Sequence, residues 1–284
     1  MIREYKNKMD LTGKVVSVDV REGENAKGVY LAGKMIIQAG ANEIPVDFFA
    51  NQKKNDGGTN PLYKNFQTIA SDYQTIAKVG QEDADVVSIG AGQISENTFP
   101  SQKGGFIQSF SVRAPFFNRQ QPNAEPVNKF VIEGEFLSFN RVEEDGIPSP
   151  SKAKVKVLTL GYKGRPNVLE LHLDDEKGVA FIEANFIEGQ IAIIEGHVEY
   201  SEEETIKKVE AGFGGAIEEK SVKTVSQLVM TKMSAPSDSP LEKNEKTQIL
   251  TEREAMLQKK KDDAEKRNKG ANTKKPTSAH NFTL

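Results

Sequence analysis

Cysteine is absent from the 284 residues of the chain. That excludes disulfides, thiol catalysis, thiolate zinc sites and iron–sulfur clusters. Histidine is scarce, with His172, His197 and His280 the whole complement of three. None has a second histidine three or four positions away, so spacing alone builds no metal site. No run approaches the roughly 18 consecutive apolar residues of a membrane-spanning helix. The first residues, Met1-Ile2-Arg3-Glu4-Tyr5-Lys6, also lack the apolar stretch of a secretory leader. The expectation is a cytoplasmic protein with no membrane partner, no cofactor and no metal.

Catalytic signatures are equally thin. Gly28-Val-Tyr-Leu-Ala-Gly33-Lys34-Met35 nearly spells a phosphate-binding loop, but methionine replaces the Ser or Thr that would hold magnesium. The pattern also runs on as a strand into Ile36-Ile37, where such a loop requires a helix. The acidic clusters Glu143-Glu144-Asp145, Asp174-Asp175-Glu176 and Glu202-Glu203-Glu204 sit at strand ends, where solvated charge is the ordinary case. Neither a Lys-x-Asp-Gly nucleotidyl-transfer motif nor a Gly-x-Ser-x-Gly elbow is present. The chain does not read as an enzyme.

Apolar residues make up 37% and charged residues 28%, which is enough for a core but not a large one. The net charge of -3 is unevenly spread. Residues 241–284 carry 11 basic and 7 acidic side chains, and the rest carries 27 against 34. Any anion-binding surface must therefore be a local patch. Two polar, proline-bearing stretches, 118–128 and 234–240, divide the chain. The expected organisation is a first domain over 1–117, a linker over 118–128, a second domain over 129–233 and a flexible tail over 234–284, helical around 245–267.

Strand patterns dominate both domains. In the first, Thr12–Val20, Gly28–Gln38 and Glu43–Ala50 alternate as strands, with Ile44, Val46 and Phe48 on one face. Asn60-Pro61 then opens a helix in which Leu62, Phe66, Ile69 and Ala70 recur at helical spacing. Two strands follow, near Asp85–Glu96 and Phe106–Ala114. The second domain repeats the order: Lys129–Arg141, Lys154–Leu160 and Val168–Leu173 as strands, Gly178–Phe186 as a short helix, then Ile191–Tyr200 and Val225–Thr231. Local texture repeats too, with Gly92-Gln93-Ile94 beside Gly196-His197-Val198 and a glycine, Gly13 or Gly134, in each first strand. Five strands with a helix between the third and fourth is the order of the OB-fold barrel. The fold class is therefore read as mainly β, two five-stranded OB-like barrels plus a charged tail, with SH3-like or cold-shock barrels as the alternative.

Basic and aromatic residues on strands carry the functional signal. Binding a single strand without sequence preference needs stacking aromatics beside a cationic groove. Lys14, Lys34, Phe49 and Arg113 fall opposite the apolar alternation, Phe116 and Arg119 follow the last strand, and Lys53 and Lys54 occupy a loop. In the second domain Lys152, Lys154 and Lys156 alternate with Ala153, Val155 and Val157. Tyr162, Lys163 and Arg165 lie in the next turn. Lysines also line exposed β faces simply to blunt edges, and Phe48, Phe106, Phe110, Phe130 and Phe136 are assigned to the core.

The blocks Lys129-Phe-Val-Ile-Glu-Gly-Glu-Phe-Leu and Glu188-Gly-Gln-Ile-Ala-Ile-Ile-Glu-Gly-His-Val-Glu resemble the first and fourth strands of OB-fold single-stranded DNA-binding proteins. Thr12-Gly-Lys-Val-Val-Ser-Val and Glu43-Ile-Pro-Val-Asp-Phe-Phe are similar in the first half. The resemblance covers residues 10 to 233 and points toward the tandem-OB replication proteins of bacteriophages and mobile elements. It implies single-stranded DNA as the partner, a role in DNA replication or recombination, and recruitment of replication proteins through the tail. The acidic tail of bacterial members is missing, since a lysine-rich stretch precedes Ala279-His280-Asn281-Phe282-Thr283-Leu284. A protein-interaction adaptor is the alternative, motivated by the acidic body.

Overall fold

The structure is a computed structural model that describes residues 5–101, 105–161, 164–209 and 217–271. The chain divides into two compact units, Met1–Glu96 with Phe110–Pro240, and Asn97–Ser109 with Leu241–Leu284. The first unit holds nearly all the strands. In its first half these are β1 (Asn7–Asn25), β2 (Gly28–Ala39) and β3 (Asn42–Asn51), then helices α1 (Pro61–Asp72) and α2 (Ile76–Val79), then β4 (Val86–Gly90) and β5 (Gln93–Glu96). The short β6 (Phe99–Pro100) and β7 (Phe106–Ile107) belong to the second unit. The chain returns to the first unit with β8 (Phe110–Arg113) and β9 (Phe116–Arg119). The second half has β10 (Val127–Glu144), β11 (Ile147–Leu160), β12 (Pro166–Asp174), α3 (Glu176–Asn185), β13 (Ile191–Val209) and β14 (Ile217–Met233), and α4 (Lys243–Ala271) closes the described chain. The protein is mainly β, as its alternation implies.

Local chemistry explains where the helices begin. The Asn60 side chain accepts a hydrogen bond from the Leu62 N–H, and Pro61 enters the first turn with its φ preset. Asp175 does the same for α3, accepting from Gly178 N at 2.6 Å. Both of these helices bury an apolar face. Phe66 of α1 is fully buried with its ring 4.5 Å from that of Phe48, and Val179 and Ile182 of α3 are buried in the second half.

Strand pairing follows one plan twice. In the second half β10 pairs β11, β11 pairs β12, β12 runs parallel to β14, β14 pairs β13, and β13 returns to β10, a closed ring. In the first half β1 pairs β2, β2 pairs β3, β3 runs parallel to β8, and β8 pairs β5. A bridge between Met9 and Gly92 then returns the path to β1, which also pairs β4. Each first strand is bulged, just after Val15 in β1 and just after Phe136 in β10. A bulge lets one long strand bend to serve both sides of a ring.

The halves meet through their first strands, with Asn7 to Thr12 antiparallel to Val127 to Ile132. Met9 pairs Phe130, its counterpart at the same offset that relates Asn7 to Asn128 and Gly13 to Gly134, so the junction has an internal pseudo-twofold axis. The β10–β13 ladder ends at Phe130 and Gly196, and the Asn128 amide continues it: Nδ2 donates to Val198 O at 2.8 Å and Oδ1 accepts from Val198 N at 3.0 Å. Asn7 grips Ile94 identically, at 2.7 and 2.9 Å. Across the junction, Asn42 of the first half accepts from Tyr200 N of the second, and Asn167 of the second accepts from Glu96 N of the first.

Some expectations change. β9 occupies Phe116–Arg119, where the linker was to begin, and pairs β4; β10 already starts at Val127. Residues 191–209 and 217–233 form strands much longer than the alternation indicated. Phe106 is not a core residue. It is 41% exposed on β7, whereas Phe48, Phe110, Phe130 and Phe136 are buried. In the second unit, Lys260 of α4 donates its Nζ hydrogen bond to Thr98 O at 3.0 Å.

Candidate nucleic-acid interface

Alternation along β1, β2 and β3 brings three register rows onto one outward face. The first is Asp19, Lys34, Asp47 and Arg113, which are consecutive partners across β1, β2, β3 and β8. The second is Arg21, Ala32 and Phe49, and the third Gly23, Tyr30 and Asn51. Ala32 and Gly23 are small, and beside them the rings of Tyr30 and Phe49 meet with centroids 5.2 Å apart and planes tilted by 35°. Phe49 is 52% exposed, an unusual position for a phenylalanine on a regular strand. The two rings form a ledge with Arg21 in register with Phe49 across Ala32, while Lys34, one row along, stands in register between Asp19 and Asp47.

Loops supply further charge at the same end. The β1–β2 tip is stitched to the end of β3 by Asn25 Nδ2 donating to Asn51 Oδ1 at 3.1 Å and to the 52–60 loop by Lys27 Nζ donating to Asn55 Oδ1 at 3.3 Å. Gln52 N donates to Val29 O, which seats Lys53 and Lys54 just beyond Tyr30. Both lysines are exposed. Asp56 serves its own turn, accepting from Gly58 N at 2.9 Å. The sequence-predicted residues Lys34, Phe49, Lys53, Lys54 and Arg113 thus belong to this face or its rim.

Others lie elsewhere. Lys14 donates to the Gln81 carbonyl beside β4. Phe116 is 45% exposed on β9, opposite Gly90. Arg119 is committed to structure: Nε is 3.0 Å from Asp85, Nη2 donates to Asp72 O at 2.6 Å, and the guanidinium lies 4.4 Å over the Tyr73 ring. Burial raises the Tyr73 pKa above its ordinary value, and the Arg119 charge works against that rise. These three share no register row with Phe49.

The second half presents a different surface at the corresponding strands. Lys154 lies 3.0 Å and Lys156 3.8 Å from Glu170 of β12, and Lys152 lies 2.8 Å from Glu144. The lysine row is therefore faced by carboxylates. His172, in register with Lys154, sits 3.7 Å from Glu170, and burial together with the Lys154 charge lowers its pKa. His197 pairs with Glu199 at 3.0 Å. No group of three or more potential ligands converges on a metal position among the described residues. Arg165 is exposed in the turn closed by Gly161 N donating to its carbonyl. Tyr162 and Lys163 lie outside the described residues, as does His280.

Three members of the first-half face, Tyr30, Arg21 and Lys27, escaped sequence reading. Tyr30 had a usable signal, since it sits four positions before Lys34 and so shares its face. Gly28–Lys34, the near phosphate loop, leaves the hairpin turn at Gly28, with φ +95°, and runs on as strand β2. No helix among the described residues is long and apolar enough to cross a membrane.

The family model described as YorF matches residues 6–263. No curated protein matches the sequence. Among solved structures, a deletion mutant of the single-stranded DNA binding protein from Thermus aquaticus is similar with TM-score 0.51 and 9% identity, covering 84% of this chain and 98% of that one. The wild-type Thermus aquaticus protein gives 0.50 and 11%, covering 84% and 97%. At such identities the likeness is one of fold.

Proposed function

The chain belongs to the YorF family, and we propose that it is a non-enzymatic single-stranded DNA-binding protein whose principal contact is the outward face of β2 and β3 in the first half. The observation that carries this reading is the Tyr30–Phe49 pair, solvent-facing and flanked by Arg21, Lys27, Lys34, Lys53 and Lys54. Stacked bases need a flat apolar surface, and a phosphate backbone needs cations within a few ångströms of it. The fold likeness to Thermus single-stranded DNA binding proteins supports the same reading. We read the two strand rings as OB-fold barrels, one built on β1, β2, β3, β8 and β5 and one on β10 to β14, joined by the stretch between β9 and β10, because the one-two-three-five-four pairing order is that of an OB barrel.

The cellular role follows the resemblance: coating of single strands during replication or recombination, in a bacteriophage or mobile-element setting and in the cytoplasm. The 234–284 tail is the segment we assign to recruiting replication proteins. On the second half, the carboxylate-faced lysines Lys152, Lys154 and Lys156 favour a supporting part, and an adaptor surface there is the second reading.

The test is fluorescence anisotropy of the full chain with a labelled oligo-dT and a duplex of equal length, at low and high salt. The reading expects tight dT binding that weakens steeply with salt, a much weaker duplex, and a loss of about fivefold or more for Phe49→Ala. Absence of dT binding at low salt, or equal affinity for duplex, overturns it.

A further inference from the structure

We propose that Gly23 is a positioning residue for the stacking ledge: the missing side chain on β1 is what allows the Tyr30 ring to lie against Phe49. The inference rests on the single-strand reading above and adds a residue that touches no DNA. Gly23 and Tyr30 are direct partners in the β1–β2 ladder. A Cβ at Gly23 would lie 2.5 Å from both Cζ and Oη of Tyr30 and 3.0 Å from Cε1. The tyrosine ring is folded across the strand and fills the space a side chain would take, as aromatics do over cross-strand glycines.

Backbone freedom is not the reason for this glycine. Gly23 lies within β1, and its φ is not among the positive values of the chain, so alanine fits the backbone unstrained. The atoms that oppose a methyl group are the far end of one flexible side chain. An added methyl group therefore displaces Tyr30 while leaving the fold in place. Once displaced, the ring gives up its present 5.2 Å, 35° contact with Phe49, and the ledge changes shape. Gly23 thus sets base affinity through Tyr30 without setting the charge of the face, since Arg21, Lys27 and Lys34 stay where they are.

The experiment uses the full chain with Gly23→Ala, Tyr30→Ala and the double substitution. Anisotropy is read with oligo-dT and with an abasic oligonucleotide of the same length, and thermal melting is read in parallel. The expected result is a dT affinity about fivefold lower for Gly23→Ala, abasic binding and melting unchanged, and a double variant no weaker than Tyr30→Ala alone. Unchanged dT affinity in Gly23→Ala while Tyr30→Ala weakens overturns the positioning role and leaves the DNA reading intact. Losses that add in the double variant, or an equal loss on the abasic strand, also overturn it. A chain that binds no dT at all removes both readings together. Should Gly23→Ala alone fail to fold, the same substitution in the Tyr30→Ala background is expected to fold, because the obstructing ring is gone. Failure there too overturns the proposal.

Discussion

Truncating Asn128 to alanine tests how the second ring is closed beyond the end of its β10–β13 ladder. The Asn128 amide makes both hydrogen bonds to the Val198 backbone, at 2.8 and 3.0 Å, where the β10–β13 ladder has already ended. The Val198 side chain is fully buried, and its peptide groups are half-shielded from water. Two ordinary hydrogen bonds are worth about 0.5–1.5 kcal/mol each, and stranding a shielded donor and acceptor adds to that. The expected loss is about 2–3 kcal/mol, near a fifth of a typical domain's stability. For a unit of this size, that lowers the melting temperature by about 4–12 °C. Urea and thermal unfolding followed by circular dichroism measure it directly, with Asn123→Ala in an exposed loop as the control. Asn7→Ala removes the equivalent pair to Ile94 and is expected to cost the same within about 1 kcal/mol. A loss below about 0.5 kcal/mol for Asn128→Ala would refute the argument that the side chain substitutes for a ladder rung.

Gly196→Ala is expected to be more damaging, by more than about 3 kcal/mol, because its Cβ would overlap the Val229 carbonyl oxygen and lie 2.5 Å from the Phe130 ring. Soluble expression and melting report this, and near wild-type melting would count against the packing argument. Replacing Lys154 and Lys156 with glutamine is expected to change oligo-dT affinity by less than about twofold, since Glu170 already faces both. Glutamine at Lys53 and Lys54 instead should flatten the dependence of log affinity on log salt by about 0.7 per lost phosphate contact. His172 has a pKa held below 6.5 by burial and then by Lys154, so the folded state takes up its proton less readily than the unfolded chain. The part of stability that His172 contributes is therefore constant above 6.5 and is lost as pH drops from there through the lowered pKa. His172→Gln should remove that part of the pH dependence in urea melts at pH 5 to 8.

Much of the architecture was legible because it depends on local pattern. Asn60-Pro61 announces its helix through capping chemistry that acts over two or three residues, whereas Asp175, read as solvated charge at a strand end, is the cap of α3. The alternation of Lys154 and Lys156 with buried Ala153, Val155 and Val157 is also a one-strand property. What sits opposite a strand is not. Glu170 reaches the lysines from β12, and Gly23 meets Tyr30 only because the β1–β2 hairpin folds back in that register. The same limit hid β9, whose Phe117 is buried and whose partner β4 precedes it by some thirty residues. Phe106 misled for a related reason. A phenylalanine in an apolar run reads as core, yet β7 pairs only with the two-residue β6, too small a sheet to cover it.

The two halves share a plan but not a surface, and the difference follows from what each position must satisfy. Asn7 and Asn128, with Asn42 and Asn167 across the junction, answer backbone groups that water reaches poorly, so a change at any of them leaves an unpaired donor or acceptor. Residues on the outward faces answer to solvent and are free to diverge. In the first half that freedom produced an exposed Phe49 packed on a half-buried Tyr30 beside cations; in the second, the corresponding strands carry Lys154, Lys156, Glu170 and His172, which answer one another. Lysines already faced by carboxylates give up little counterion on meeting phosphate, so on the single-strand reading the second half adds little electrostatic affinity. Its contribution to binding is indirect. Asn42 opens β3, the strand that carries Phe49, and its partner is Tyr200 N of the second half, so the second half holds the start of the strand on which the ledge is built.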